Sequence, residues 1–214
     1  RGYLEANEPT TPEPWTFLGR LLLGQGNPSD LSEASSAFTQ AQVYVPGYAP
    51  AQLGSIDVQS RLGNDGVAIA LCDRFLDNRL EKGGVLTEQD AQVFFQRGVL
   101  RSKSRAGFEE AITDLDRAIE IVDAPEFLSL RALIRRNLGD AEGAISDIRR
   151  VADLSGTLGL NDEVTIAEAY LDLGDMENVT RYTQDMAARR DSTSPNLAAR
   201  IDVILTKLQE GDSN

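Results

Sequence analysis

Histidine is absent from this chain of 214 residues, and cysteine occurs once, at Cys72. One thiol excludes an internal disulfide framework. With no imidazole beside it, a soft-ligand metal site is nearly excluded as well, so no metal and no cofactor is expected. General acid–base catalysis usually relies on His or on a carboxylate held in a pocket. Here the carboxylates scatter over positions that read as solvated helix faces, and Cys72 falls in an apolar register with no neighbouring base. No catalytic residue is therefore assigned, and the chain is read as a non-enzyme. Long apolar runs are also missing: stretches such as Leu21 to Leu23 are far short of a membrane span. No signal-peptide pattern is present, which leaves the compartment open between cytoplasm and periplasm. Basic residues are in the minority, 21 against 34 acidic, for a formal charge of −13. That balance argues against nucleic-acid binding, which needs a net basic surface.

What is present is a repeat. A small residue, a bulky one four later and an apolar one three further on recur as Ala34/Phe38/Ala41, Ala68/Cys72/Phe75, Ala111/Leu115/Ala118 and Ala144/Ile148/Val151. A weaker copy is Val179/Thr183/Met186. The lead residues are 34, 43, 33 and 35 positions apart. Offsets of four and seven place each trio on one helical face. A turn with Gly precedes each trio, as at Gly63-Asn64 and Gly139-Asp140, which suits ending one helix and capping the next. A second amphipathic stretch lies before each turn. The predicted helices are 13–25 and 31–44, 49–61 and 66–79, 88–104 and 108–122, 126–138 and 141–154, and 161–173 and 176–190.

At these residues the chain resembles the tetratricopeptide repeat family. Trp15, Leu18, Gly19 and Leu22, then Ala34, Phe38, Ala41 and Pro46, follow the family pattern, with Leu for Tyr and about three extra residues in the turn. Unit two departs from it, with Gln52, Ser55 and Ile56 at the Trp, Leu and Gly positions. The resemblance implies an all-α fold, an α-solenoid of about five helix-turn-helix repeats over 10–47, 48–80, 88–123, 124–157 and 158–191. Leu197, Ile201, Ile204, Leu205 and Leu208 then read as one face of a capping helix over 193–210. Pro9 stands six residues before Trp15, so residues 1–9 read as the tail of a preceding repeat, with a short N-terminal cap as the alternative.

The family implies protein binding in a concave groove lined by the first helix of each repeat. Carried over by position, the groove residues are Gln92, Phe95, Gln96, Val99, Ser102 and Lys103, then Ser129, Leu133, Arg136 and Asn137, then Glu168 and Leu171. The partner implied is a peptide or helix of another protein. Seven of the basic residues sit in or just after two of these helices (Arg97, Arg101, Lys103, Arg105, Arg131, Arg135 and Arg136), so an acidic segment is one candidate. A solvated face neutralised by nearby Asp and Glu is the other. Arg97 and Arg131 stand where the family has Leu, and only those two units carry Asp three residues after the lead Ala, at Asp114 and Asp147. This covariation predicts structural Arg–Asp pairs, because a guanidinium at a helix seam needs an acceptor. Self-association, as a structural module or homo-oligomer, and service as a regulatory or targeting domain of a larger protein remain the alternatives.

Overall fold

The computed structural model describes residues 10–81 and 83–211. They divide into two compact units, the first ending at Lys103 and the second beginning at Ser104. No strand occurs among the described residues. Unit 1 holds α1 (Glu13–Gln25), α2 (Pro28–Tyr44), α3 (Ala49–Arg61), α4 (Asp65–Glu81) and α5 (Glu88–Arg101). Unit 2 holds α6 (Phe108–Ile121), α7 (Pro125–Leu138), α8 (Ala141–Ser155), α9 (Leu160–Asp172), α10 (Met176–Thr183), α11 (Met186–Arg189) and α12 (Pro195–Gly211). Within each unit, helices adjacent in sequence pack on each other, α1 also meets α3, and α7 also meets α9.

The recurring trios are the core. All fifteen of their residues are buried, from Ala34, Phe38 and Ala41 at 0% exposure to Thr183 at 5%. The small lead residue lets two helix backbones approach, and the bulky one fills the space beyond. Phe38 shows how tightly. Its ring lies where a β-carbon on Gly19 or on Gly54 would stand, at 2.6 Å and 2.2 Å respectively. In unit 2, α12 lays Ile201 and Ile204 into the cluster of Ile148, Val164, Ile166, Tyr170 and Val179.

Most helix ends fall within three residues of the predicted ones, and two differences stand out. The extra residues of the first repeat are helical rather than part of a longer turn. Only Gly26 and Asn27 separate α1 from α2, because the fixed φ of Pro28 starts a helix and Asn27 Nδ2 bonds Asp30 Oδ2 at 2.8 Å. The helix predicted over 176–190 breaks into α10, α11 and a 3-10 turn at Arg190–Ser192. There Thr183 occupies the bulky position, and its hydroxyl donates back to the carbonyls of Val179 at 2.9 Å and Thr180 at 3.2 Å. Thr113 and Thr165 make the same back-bond inside unbroken helices, so it accompanies the break without accounting for it. The reading of residues 1–9 falls outside the described residues.

The start of α5 carries a pH-sensitive contact. Asp90, 1% exposed, accepts from Arg79 Nε at 2.8 Å, from the Thr87 N–H at 2.7 Å and from the Thr87 hydroxyl at 2.8 Å. Burial pushes the carboxyl pKa up, but the bonds from Arg79 and Thr87 outweigh it and hold Asp90 below its ordinary 3.8. A folded-state pKa below the unfolded one adds stability that is present above the unfolded value and lost as pH falls through the folded one. Urea midpoints for unit 1 should therefore decline from about pH 4 downward. In Asp90→Asn that acid decline should be visibly shallower than in the parent chain, a comparison that cancels the other carboxylates.

Candidate functional site

The twelve groove residues read from the sequence divide equally between the units, and they meet different fates. In unit 1, Gln92, Phe95, Gln96 and Val99 of α5 line one cleft of about 430 Å³ together with Asp57 and Ser60 of α3. Offsets of four on a helix put Gln92 above Gln96 and Phe95 above Val99, which gives an amide row beside an apolar row. Phe95, Gln96 and Val99 are half-buried, and Gln92 is exposed. Ser102 and Lys103 do not join them. The Ser102 hydroxyl turns back to the Val99 carbonyl at 2.8 Å, and Lys103 Nζ pairs with Asp65 at 2.5 Å.

The cations around this cleft are paired inside unit 1. Arg97 Nη1 bonds Asp73 at 2.6 Å, with Arg101 at 3.8 Å from the same carboxylate. Asp57, the one ionised group lining the cleft, receives Arg61 through Nε at 2.9 Å and Nη2 at 3.1 Å. The cleft is thus an apolar and amide-lined surface with its charge compensated.

In unit 2 the corresponding positions are largely taken up by the chain itself. Arg136 of α7 gives Nη1 to Glu168 at 3.0 Å and Nε to Asp172 at 2.9 Å. Glu168 is buried and also receives Arg200 of α12. Leu171 packs on the unit 2 core. Ser129 and Leu133 are half-buried on α7, and Asn137 is exposed at its end.

Arg97, Arg101, Lys103, Arg131, Arg135 and Arg136 of the basic cluster are thus each paired with a carboxylate. Arg131 reaches Asp147 through Nε at 2.9 Å and Nη2 at 2.6 Å, and Asp116 through Nη1 at 2.6 Å, which ties α6, α7 and α8 together. Burial alone would lower the Arg131 pKa, but the bonds to Asp147 and Asp116 carry it above its ordinary value. Arg135 gives Nη1 to the same Asp147 at 2.9 Å. Asp114 is buried on α6. Among the described residues no cluster of His, Cys, Asp and Glu has the makings of a metal site, and no helix is long and apolar enough to cross a membrane.

Two participants escaped sequence reasoning. Ser60 stands one turn beyond Asp57 on α3, in a helix whose repeat signature is worn away. Arg200 reaches acceptors more than 30 residues away, which no local pattern signals.

In sequence, no protein-family profile matches the chain, and no curated protein matches it. Solved structures do. PilW, a widely conserved type IV pilus biogenesis factor, is 16% identical with a TM-score of 0.72, over 94% of this chain and 86% of its own. YrrB, a TPR protein with an unusual peptide-binding site, is 17% identical with a TM-score of 0.68, over 94% of this chain and 96% of its own. MamA from Desulfovibrio magneticus is 14% identical with a TM-score of 0.69, over 86% of this chain and 97% of its own. At these identities the likeness speaks for the fold. The chain is an all-α helical repeat protein with the tetratricopeptide-repeat fold.

Proposed function

We propose that this chain is a protein-binding module that takes a segment of a partner protein in the α3–α5 cleft of unit 1. The observation that carries the reading is that four residues assigned to a groove by repeat position, Gln92, Phe95, Gln96 and Val99, line a single cleft. Its chemistry suits a polypeptide. Phe95 and Val99 offer apolar contact at neighbouring turns, and aromatic residues are frequent binding anchors. Gln92 and Gln96 carry amides that both donate and accept, the complement of a main chain. YrrB, of like fold, is described as having a peptide-binding site. Compensation of Asp57 by Arg61, and of Lys103 by Asp65, favours an apolar, amide-bonding partner segment here over an acidic one.

The test uses peptides selected by the parent chain from a displayed library of random sequences. Phe95→Ala should weaken their binding at least about tenfold, a loss of roughly 1.4 kcal/mol. Gln96→Ala should weaken it less, and Arg136→Ala should leave it unchanged. Equal affinity of Phe95→Ala and the parent chain for those peptides would remove the proposal.

A further inference from the structure

Asn161, Thr165 and Glu168 stand at i, i+4 and i+7 on α9 and so form one stripe of one helix. Two guanidinia meet Glu168: Arg136 of α7 gives Nη1 to Oε2 at 3.0 Å, and Arg200 spans the whole stripe. Arg200 of α12 donates through Nη1 to Asn161 Oδ1 at 2.9 Å, through Nη2 to Thr165 Oγ1 at 3.0 Å and Glu168 Oε2 at 2.7 Å, and through Nε to Glu168 Oε1 at 3.1 Å. The Thr165 hydroxyl donates to the Asn161 carbonyl at 2.8 Å, which leaves its lone pairs turned to the arginine. Thr165 and Glu168 are 2% and 6% exposed. The fork of acceptors matches the planar guanidinium edge by edge, a match an ammonium would not make.

We propose that this stripe is an arginine receptor, filled from within the chain by Arg200, which an arginine of a partner protein enters in exchange. Three observations bear on exchange. The burial of α12 rests on Ile201 and Ile204, both 0% exposed, so the Arg200 side chain can leave while the helix stays docked. Asn161, at one end of the stripe, is exposed. Unit 2 holds 12 basic and 22 acidic residues, a formal charge of −10, which raises the local concentration of cationic segments. An incoming arginine makes the bonds that Arg200 gives up, so the competition is set by how often the receptor stands open. Apparent affinity falls by that open fraction, and deleting Arg200 raises the fraction by removing the inner guanidinium while Arg136 keeps its one bond to Glu168.

The probe is N-acetyl-arginine amide, titrated against the whole chain while the backbone amides of residues 161–168 are followed by NMR. Arg200→Ala should show saturable shifts there, with affinity at least about tenfold tighter than the parent chain. The neutral citrulline analogue should produce none, and Glu168→Gln added to Arg200→Ala should abolish the response. If Arg200→Ala loosens α12, Arg200→Gln keeps the side-chain stem and is read the same way. Absence of saturable shifts in both variants, equal affinity in parent and variant, or equal response to arginine and citrulline would overturn the receptor. This probe reports on unit 2 alone, so its result stands apart from that of the α3–α5 cleft.

Discussion

Replacing Gly54 by alanine should destabilise unit 1 by about 2 kcal/mol, although Gly54 lies inside a helix. Helix propensity alone predicts the opposite sign, a gain approaching about 1 kcal/mol. Packing decides the outcome. The added methyl would stand 2.2 Å from the Phe38 ring. The ring also lies 2.6 Å from the β-carbon position of Gly19, and Phe38 is 0% exposed, so the ring has little room to withdraw. Overpacking a core by one methyl costs about 1–3 kcal/mol, which exceeds the propensity gain. Trp15 is the single tryptophan and packs on this core, so urea unfolding followed by its fluorescence reads the change. Adding Phe38→Leu to Gly54→Ala should recover part of the loss, since the smaller side chain vacates the contested space. A neutral or stabilising Gly54→Ala would contradict the packing described.

Asp147→Ala should cost unit 2 about 3 kcal/mol. Asp147 is 4% exposed and accepts three bonds, two from Arg131 and one from Arg135. Its removal leaves two partly buried guanidinia short of an acceptor, and breaking a buried ion pair from one side is far more harmful than replacing it whole. Arg135→Ala should cost less, because Arg131 continues to neutralise Asp147. Replacing Arg131 and Asp147 together by leucine should recover most of the single-mutant loss. Native-state hydrogen exchange of the α8 amides measures each variant within unit 2. Equal costs for Asp147→Ala and the double leucine variant would mean that the carboxylate contributes something other than charge compensation.

These two sites also show what the sequence could and could not reveal. The trios led by Ala34, Ala68, Ala111, Ala144 and Val179 were legible because helical periodicity is local, and every member is buried. Gly54 carries no sequence signal because the second repeat, 48–80, has lost its signature residues. Its role follows from where the Phe38 ring arrives, which only tertiary packing fixes. The break after Thr183 was hidden because no Gly or Pro marks it between Met176 and Arg190. For the candidate site, repeat position grouped four α5 residues that line one cleft, since they share one helix face. It did not reveal that Arg136 and Glu168 engage each other, nor that Arg200 of α12 closes on the same carboxylate. Ion pairing depends on side chains brought together from separate helices, and a sequence offers many carboxylates for each arginine.

The most direct measurement is hydrogen–deuterium exchange on the whole chain with and without a library-selected peptide. Binding in the α3–α5 cleft should slow exchange at residues 57–60 and 92–99 while α7 and α8 keep their unbound rates. Protection confined to unit 2, with residues 92–99 exchanging as in the unbound chain, would contradict the assignment of the cleft.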